Sequence, residues 1–540
     1  REFNHFSALH PDYVARKGYA DRTETTRFNW QIDNVLKWNK TFNKIHQFDV
    51  TFLLNAEKLK QTSSRIENEG FDPNDKLSYH NIGSGVKPIV SSNDLVTTGD
   101  ALMARLNYTL NSKYLLTATI RRDGYSAFGQ RNPRATFPSL SLGWVFSDEG
   151  FMKSVSWLNY AKLRLSYGSV GNRDIDGYLA LSNLNTGKYL YVSPSGTVFP
   201  IAQLYVDRMI NRDLKWESTS SFNGGLDFSI LHNIIDGSVE VYKKNTSNLL
   251  LLRALPSVTG FFNIASNLGN VTNTGVEIAL NSNNFKRENF SWKTSVNFSL
   301  NRNKIVHLFG EVNQLDNEGK VIGKVENNDP GNGWFIGKDV NAIWDLKVLG
   351  VWQQNEAAEA AKYGVKPGDF KLQDVNGDFK FTDADKQFLG SRNPKFTTSM
   401  RNEFTLFKHF DFSFSMYSNW GAMTDFNEAK NNSGFQDRQN SYKVPYWTAE
   451  NPINDYARLY SSNGSANYNV YRKTSFIRID NVSLAYTLPK KLVEKGRLNS
   501  VRIFTTVQNA AIYAPDWDYW DPQNKNPTPR YVTLGLNVTL

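Results

Sequence analysis

The chain has 540 residues, of which 40% are hydrophobic and 14% aromatic, with no cysteine and a formal net charge of +10. This aromatic content excludes a disordered chain, and the lack of cysteine excludes disulfides and thiolate metal sites. No apolar run approaches the ~18 residues of a membrane-spanning helix. The basic residues are scattered along the chain, which favours solvated basic faces and argues against a nucleic-acid partner.

Apolar residues recur at every second position along much of the chain, as in a strand with one apolar face. In chain order, clear examples are 48–54, 102–110, 116–120, 290–300, 410–416 and 532–540. We count about fifteen such segments, of about 10 to 14 residues each. They exceed the ~5–6 residues typical of soluble strands and reach the ~9–11 residues that a tilted strand needs to cross a membrane.

The links between these segments alternate in length. Short links at 111–113, 232–233 and 408–409 alternate with long ones at 57–98, 169–215, 304–394 and 421–473. Outer-membrane barrels have short periplasmic turns and long extracellular loops. Aromatic residues near strand ends fit interfacial girdles: Trp30, Trp38, Trp144, Trp216, Tyr242, Trp420 and Tyr531. We therefore predict an all-β protein, an antiparallel transmembrane β-barrel of the bacterial outer membrane.

Several stretches resemble, in order, landmarks of the SusC/RagA family of TonB-linked outer-membrane transporters. They are 114–129 (YLLTATIRRDGYSAFG), 137–146 (FPSLSLGWVF), 163–172 (LRLSYGSVGN), 214–217 (LKWE), 225–228 (GLDF), 267–276 (NLGNVTNTGV), 368–378 (GDFKLQDVNGD) and 476–489 (FIRIDNVSLAYTLP). The resemblance implies that residues 1–540 are the C-terminal part of a barrel of about 22 strands. About fifteen strands would be present, while the plug, the TonB box and the first strands would be absent.

The same resemblance implies a function and partners. It implies uptake of oligosaccharide or peptide, driven through TonB and delivered by a SusD-like surface lipoprotein, with outer-membrane lipid around the strands. Leu540 departs from the terminal aromatic residue usual in such barrels. The alternative hypothesis is a soluble secreted β-protein that binds glycans.

One Asp- and Asn-rich segment, inside a long extracellular loop predicted at 303–395, has the spacing of a calcium-binding loop. Its oxygen ligands would be Asp374, Asn376, Asp378, Thr382 and Asp385, with the Lys380 carbonyl between them. Phe379 stands where such loops require glycine, and Asp385 where they have the longer Glu. The alternative is an Asx-rich surface turn without an ion. Calcium is the one cofactor that the sequence predicts.

Aromatic residues in two predicted loops indicate a surface for a ligand or partner: Trp334, Trp344, Trp517, Tyr519 and Trp520. Aromatic faces stack on sugar rings or peptide side chains, and nearby carboxylates accept hydrogen bonds. The alternative is that these rings pack the loops against one another or against the lipoprotein.

The chain shows no catalytic pattern. Its 7 histidines are scattered, and none lies in an H-E-x-x-H pair. Residues 124–129 and 331–339 miss the spacing of a nucleophile elbow and of a phosphate-binding loop, respectively. We therefore predict a gated conduit without enzyme activity.

Overall fold

The computed structural model describes residues 2–6, 10–71, 78–181, 183–316, 318–431, 445–462, 464 and 466–540. Sixteen strands of these described residues form one sheet whose spatial order follows the chain. They are β1 Glu2–Phe6, β2 Tyr19–Phe42, β3 His46–Glu69, β4 Ile89–Leu110, β5 Tyr114–Tyr125, β6 Arg134–Val145, β7 Leu158–Asn172, β8 Glu217–Ile230, β9 Ile235–Ser247, β10 Asn270–Arg287, β11 Phe290–His307, β12 Phe396–Leu406, β13 Phe410–Trp420, β14 Phe476–Thr487, β15 Ser500–Tyr513 and β16 Tyr531–Thr539. The all-β prediction is confirmed.

The chain divides into two compact units. The first comprises 1–142, 166–220 and 246–268, and the second comprises 143–165, 221–245 and 269–540. In both units, every strand pair of the sheet whose register is defined is antiparallel.

The short links are tight turns with residues in the left-handed region. Asn111 and Ser112 have φ of 53° and 58°, and Phe407 and Lys408 have φ of 52° and 65°. Paired positive φ values are the mark of turns whose twist matches the right-handed twist of the flanking strands. The predicted turns at 111–113 and 408–409 are confirmed, and the link predicted at 232–233 spans 231–234.

The long link predicted at 57–98 is wrong, because strands occupy most of it. β2 and β3 are each 24 residues long and β4 has 22, well beyond the predicted lengths. Beyond Lys58 the apolar alternation stops, yet the backbone stays paired, with Lys60 opposite Phe28 and Thr62 opposite Thr26. A strand with polar side chains on both faces has no period-two hydrophobic signal, so the sequence pattern ended before the strand did.

The other long links are confirmed, and they contain secondary structure of their own. Their two-stranded sheets are Asn183–Val192 with Val198–Arg208, Val312–Leu315 with Val321–Val325, Ala342–Leu346 with Lys386–Ser391, Val348–Val351 with Phe370–Leu372, and Met423–Asp425 with Tyr471–Lys473. A further pair, Leu250–Ala254 with Asn263–Asn267, lies in the connection between β9 and β10. Because β11 continues to His307, the loop predicted from residue 303 begins at 308.

Helices are few and short. Two are α-helical, Ala357–Lys362 and Lys490–Val493. The others are 3₁₀ turns at Pro11–Arg16, Ser78–Ser84, Phe146–Asp148, Gly150–Met152, Ser257–Thr259, Gln354–Glu356, Asp383–Asp385, Asn427–Lys430 and Glu494–Gly496. Across the described ranges, none of the helices has the length and hydropathy needed to span a bilayer.

In the second unit, the apolar face of the sheet carries two aromatic rows. Near the tight turns, Phe285, Trp292 and Phe404 follow one another across the strands with ring centroids 6.2 Å and 5.6 Å apart. Near the long loops, Phe396 stacks with Trp420 at 6.4 Å. Phe396 and Phe404 lie roughly 26 Å apart along β12, which matches the ~25 Å apolar band of a membrane barrel.

Three of the seven aromatic residues assigned to girdles are elsewhere. Trp216 is only 5% exposed and packs in the first unit on Phe128, with ring centroids 4.7 Å apart. Tyr242 lies over Gly275 on the polar face. Tyr531 is opposite Gln508 and also belongs to the polar face by strand alternation. These three predictions are wrong because nearness to a strand end says nothing about which face a ring occupies.

Candidate functional site

The polar face of the sheet in the second unit carries one row of four side chains. Register pairs Glu277 with Ser299, Ser299 with Thr397, and Thr397 with Asn419. The row crosses β10 to β13, a distance of ~14 Å at the usual strand spacing. Its members line a cavity of about 450 Å³, together with Tyr417 from the adjoining row.

These four side chains, which we call the open row, have no hydrogen-bond partner within the described residues. The polar rows on either side of them are bonded internally. Toward the long loops, Asn273 Oδ1 accepts hydrogen bonds from Asn301 at 3.1 Å and Asn303 at 3.0 Å. Toward the tight turns, Asn297 donates to Ser399 Oγ at 3.2 Å. The open row therefore presents its polar atoms to whatever fills the cavity.

The charge of the cavity wall is negative. Glu240 accepts a hydrogen bond from Arg164 at 2.7 Å, and Arg164 also pairs with Asp227 at 2.7 Å. Glu277 has no such cation, and no Lys, Arg or His is found among the described residues that line the cavity. A cleft lined by one sign of charge focuses its field into the cleft.

Tyr417 is held in position at the edge of the cavity. Its hydroxyl donates to Gln523 Oε1 at 2.8 Å, and its ring lies 5.9 Å from the guanidinium carbon of Arg478. Arg478 in turn pairs with Asp521 at 2.6 Å, where both side chains are 5% exposed. Because a buried pair satisfies both charges, the 514–530 connection and the Tyr417 ring are fixed relative to each other.

The long loops of the second unit have their own hydrophobic core, which we call the loop core. Its buried members are Leu346, Val351, Phe370, Leu372, Phe426, Ala429, Trp447, Tyr456, Ala457, Ala466, Tyr468, Val470 and Trp517. Phe426 is 0% exposed and lies 5.2 Å from both Trp517 and Tyr519. Trp517, predicted to face a ligand, is thus part of this core.

Tyr519 and Trp520 sit at the edge of the loop core. Their rings stack 5.1 Å apart, and both side chains are half-buried. The indole N–H of Trp517 donates to the Trp520 carbonyl at 2.9 Å, which fixes the turn that presents this pair.

Trp334 and Trp344 lie near one another but outside the loop core. Trp344 is on the 342–346 strand, 4.9 Å from the Phe335 ring, with the Lys386 ammonium 4.9 Å above it. Trp334 forms a backbone bridge with Asp329, at 2.8 Å in both directions. The predicted aromatic surface is therefore two clusters. Trp334 and Trp344 are linked through Phe335, whereas Tyr519 and Trp520 belong to the edge of the loop core.

An ion pair and two tyrosine hydroxyls tie the loops to the loop core. Arg472 stacks its guanidinium 4.3 Å from the Phe426 ring and pairs with Asp518. Tyr456 donates to Asp518 at 2.7 Å, and its burial, followed by this hydrogen bond, raises the pKa of its hydroxyl. Burial, followed by the charge of Asp345, raises the pKa of Tyr471 to about 12. These phenols stay protonated and act as donors at neutral pH.

Asp425 joins two further segments. Its carboxylate accepts hydrogen bonds from Lys525 at 2.8 Å and from Arg392 at 2.9 Å. Burial alone would raise its pKa, but the bonds from these two cations outweigh burial and lower the pKa to about 2. The 514–530 connection is thus anchored by a charge that stays ionised at all physiological pH values.

The Asp374–Asp385 segment is a closed turn held by its own hydrogen bonds. Asp374 accepts from the Gly377 N–H at 2.7 Å and from Phe379 N–H at 3.0 Å. Asp385, 0% exposed, accepts from Val375 N–H and Thr382 N–H, each at 2.9 Å. Burial would raise the pKa of Asp385, but these backbone donors outweigh it and hold the pKa below its usual value.

The remaining predicted ligands of that segment also bond within it. Asn376 Oδ1 accepts from the Asp378 N–H at 3.0 Å, and Asp378 Oδ1 accepts from Lys380 N–H at 2.8 Å. Phe379 takes φ of 62°, the left-handed conformation for which calcium loops use glycine. In the part of the chain that the structure describes, no three His, Cys, Asp or Glu side chains converge as a metal group. Calcium binding here stays a prediction.

The first unit has a smaller cavity, of about 160 Å³, on its own strands. Arg173 lines it, pairs with Glu57, and lies 5.2 Å from the Tyr125 ring centroid. The Glu57 carboxylate and the Arg173 guanidinium thus neutralise each other, whereas Glu277 of the second unit has no such ion pair.

Sequence reasoning did not find the open row. Each member lies on the polar face of a recognisable strand. The four strands are far apart in the chain, from β10 at Asn270–Arg287 to β13 at Phe410–Trp420. Only register brings them together. The available signal was the run of mainly polar residues at alternate positions of 277–283, 293–299 and 397–403.

Comparison with known proteins finds relatives among TonB-dependent receptors. A family model described as "TonB dependent receptor-like, beta-barrel" matches residues 3–343. TonB-dependent receptor P26 of Formosa agariphila is 30% identical over 575 residues, which cover 98% of this chain and 55% of that protein. TonB-dependent receptor SusC of Bacteroides thetaiotaomicron is 30% identical over 455 residues, which cover 81% of this chain and 43% of that protein.

Among solved structures, that of the RagAB peptide transporter is similar with a TM-score of 0.77. The match covers 97% of this chain and 56% of the other at 21% identity, so it shows a shared fold. The chain spans about half the length of the curated relatives it matches.

Proposed function

The chain belongs to the TonB-dependent receptor-like β-barrel family, and from this premise we propose that it supplies much of the wall of an importer driven through TonB. The strands lie in the bacterial outer membrane, as in the SusC and RagA types of barrel. The observation that carries the proposal is the division of the sheet into an apolar face with aromatic rows and a polar face with a negatively charged cavity. A transmembrane strand with one lipid face and one aqueous face has this composition.

The proposed cargo is an oligosaccharide or a peptide, delivered by a SusD-like surface lipoprotein. Similarity to SusC and to the structure of the RagAB peptide transporter supports this pair of cargo classes. The half-buried rings of Tyr519 and Trp520, with those of Trp334 and Trp344, are the proposed contacts for cargo or lipoprotein. Trp517 is left out of this surface, because its ring is buried in the loop core.

The alternative of a soluble glycan-binding protein fits poorly. In the second unit Leu534 is 78% exposed and Leu536 is 61% exposed on the same face of β16, and a soluble protein would bury such a face. The family is one of receptors and transporters, which supports the proposal of a conduit without catalysis.

The test uses the full-length gene in its own bacterium. We expect deletion to abolish growth on one cargo class, complementation to restore it, and dissipation of the proton gradient to stop uptake without releasing the protein from the outer membrane. Growth of the deletion strain at the wild-type rate on all glycans and peptides supplied would contradict the proposal. A protein that stays soluble without detergent would contradict the membrane assignment.

Calcium can be tested on the same full-length protein by titration calorimetry with CaCl₂. If the Asp374–Asp385 loop binds the ion, Asp374→Ala and Asp378→Ala each remove the binding isotherm. Unchanged binding in both variants would remove this loop as a calcium site.

A further inference from the structure

We propose that the apolar face of the sheet in the first unit binds the phosphate groups of an outer-leaflet lipid headgroup through Lys58, Lys60, Arg122 and Arg134. These four side chains, which we call the basic rim, lie on β3, β5 and β6. The proposal requires only that the strands cross the outer membrane, so it is independent of the cargo of the proposed importer.

The basic rim lies on the lipid-facing side of the sheet. On that side Leu54 of β3 is 58% exposed and Leu102 of β4 is 54% exposed, and register places the two opposite each other. Lys58 and Lys60 follow Leu54 at alternate positions of β3, so they share its face. Arg122 is opposite Leu102 and shares that face as well. Whatever occupies the interior of a barrel therefore does not cover these side chains.

The depth of the basic rim is that of the extracellular headgroups. Phe48 and Tyr108, with ring centroids 4.7 Å apart, mark the apolar face near the tight turns. Lys58 lies ~33 Å from Phe48 along β3, which is ~25 Å along the membrane normal for a strand tilted by ~40° and equals the height of the apolar band of a membrane barrel. Because short turns are periplasmic in such barrels, Lys58 and Lys60 emerge among the headgroups of the outer leaflet.

Aromatic rings border the basic rim on β2. Trp30 is opposite Lys58 and Phe28 is opposite Lys60, and the two aromatic residues are 39% and 64% exposed. Aromatic side chains concentrate at membrane–water interfaces, which supports the same depth by a criterion other than distance. A lipid that packs against these rings has its phosphates within reach of the two ammonium groups.

The charges on neighbouring strands follow the tilt of the strands. Counted from Phe48 and its neighbours toward the long loops, the first Lys, Arg, Asp or Glu on this face is Lys58 on β3, Asp100 on β4 and Arg122 on β5. Register displaces each of them toward the tight turns relative to the one before. A line of constant depth crosses tilted strands with an offset of this kind, so the three charges lie at a similar depth.

Positive charge dominates at this depth. The Asp100 carboxylate is held by Arg134, whose guanidinium donates to it at 2.9 Å and 3.2 Å. The other three cations of the basic rim have no ion pair with a residue of the described ranges. The next acidic residue on this face of β4, Asp94, is opposite Thr62, farther from the apolar band. Cations that repel one another at one depth are stabilised by an anion between them.

A lipid phosphate suits this surface better than a free phosphate ion. The acyl chains of an outer-leaflet lipid pack on the exposed apolar side chains of the same strands. Its phosphates are thereby confined to the depth of the basic rim, which raises their effective concentration there. Arginine binds phosphate through its planar fork and lysine binds it as a point charge, so both residue types of the basic rim fit this ligand.

The test is a binding titration of the purified full-length protein in detergent. The probe is lipopolysaccharide from the native bacterium, compared with the same lipopolysaccharide after its phosphates are removed with hydrofluoric acid. We expect the dephosphorylated probe to bind about tenfold more weakly, and equimolar inorganic phosphate not to displace the intact probe. Equal affinity for the two probes, or displacement by equimolar inorganic phosphate, would overturn the inference.

Two double variants assign the site. Lys58→Gln with Lys60→Gln should weaken lipopolysaccharide binding about 25-fold, at about fivefold for each cation beside an anionic lipid surface. Lys37→Gln with Arg105→Gln is the matched control, because both residues are opposite Thr51 on the polar face of the same sheet. The control removes the same charge and should bind as the wild type does. Wild-type affinity in the first variant, or an equal loss in both, would overturn the site.

Arg122→Gln tests the extent of the basic rim and should weaken binding about fivefold; wild-type affinity would contradict its place in the site. Heat-modifiable migration on a gel verifies that each variant is folded. Unchanged lipid affinity in the Lys58 and Lys60 variant, with loss of a protein that copurifies with the wild type, would assign this surface to a protein partner and overturn the inference.

Discussion

The sheet and the loops of the second unit bury their apolar side chains in opposite ways. On β16, Leu534 and Leu536 project from the sheet and are 78% and 61% exposed. In the loop core, Phe426 is 0% exposed and Leu346 is 2% exposed. The strands face lipid and need no protein cover, whereas the loops meet water and fold around a core as a soluble domain does. The distribution of apolar side chains in one chain thus follows lipid in the strands and water in the loops.

Charged groups follow the same division. In the loops, Asp369 is 0% exposed and lies 2.9 Å from Arg458 Nε, and Asp521 is buried against Arg478 at the start of β14. On the apolar face of the sheet, the amide of Asn402 is 5% exposed. Its oxygen accepts hydrogen bonds from two neutral groups, the Trp292 indole at 2.9 Å and the Thr294 hydroxyl at 2.7 Å. Satisfied neutral groups are tolerated next to lipid, where a charge is costly.

The largest effect should come from the loop core. Phe426→Ala removes a fully buried ring from the middle of that core, and such changes cost about 3–5 kcal/mol. Hydrogen exchange on the full-length protein should show faster exchange in residues 426–430 and 466–473 and unchanged exchange in β12 and β13. Leu534→Ala is the matched control, because its side chain faces lipid. Equal effects of the two variants would abolish the distinction between the regions.

A charge on the lipid face should cost somewhat less. Met400 lies on the apolar face of β12 midway between Phe396 and Phe404, and arginine near the bilayer midplane costs about 2–4 kcal/mol. Urea unfolding in lipid vesicles should therefore show Met400→Arg destabilised by that amount. Ser413→Arg, on the polar face opposite Glu403, is the control and should unfold as the wild type does. Destabilisation of both would mean that the two faces do not differ in solvent.

Removal of the Asn402 amide should have a smaller effect. Asn402→Ala leaves the indole N–H of Trp292 and the hydroxyl of Thr294 without their acceptor, at a cost of about 1–3 kcal/mol. Thr294→Ser keeps the hydroxyl that donates to Asn402 and accepts from Asn284 at 2.7 Å, so it should cost less. Urea unfolding in the same vesicles measures both. The reverse ranking would show that the amide is not the centre of this cluster.

The smallest effect concerns pH. The pKa of Asp425 is lowered to about 2 by Lys525 and Arg392, so its stabilising contribution is complete above the ordinary carboxyl pKa and is lost as pH falls from about 4 to about 2. Because Asp425 is partly exposed, we expect about 1 kcal/mol. The protection factors of residues 523–528, which correct for the intrinsic pH dependence of amide exchange, should fall over that pH range in the wild type. In Asp425→Asn, these protection factors should already be lower at pH 7 and change less with pH.

How far the sequence reached can be seen in particular elements. The alternation at 290–300 and 410–416 located β11 and β13, and the turns at 111–113 and 408–409 followed from the polar residues between apolar runs. The same reasoning missed the parts of β2, β3 and β4 that lie farthest from the tight turns. Both faces of the sheet are polar there, so the hydrophobic pattern stops although the backbone remains paired.

The site was predicted less well than the fold. The loop aromatic residues were recognised as a group, but Trp517 turned out to belong to the loop core and Trp334 and Trp344 to a separate cluster. The Asp374–Asp385 turn was located correctly, although its carboxylates bond to their own backbone. Composition identifies which residue types are present in a loop, but not the direction in which each side chain points.

The sequence by itself determined the class of this protein, since period-two patterning and strand length are local properties that each segment carries alone. The tertiary structure decided what required register and loop packing. Glu277, Ser299, Thr397 and Asn419 meet because four strands pair in one alignment, and a shift of one residue would turn any of them to the other face. The loop core likewise exists only once segments from 346 to 517 have come together, because burial depends on neighbours that are distant in the chain.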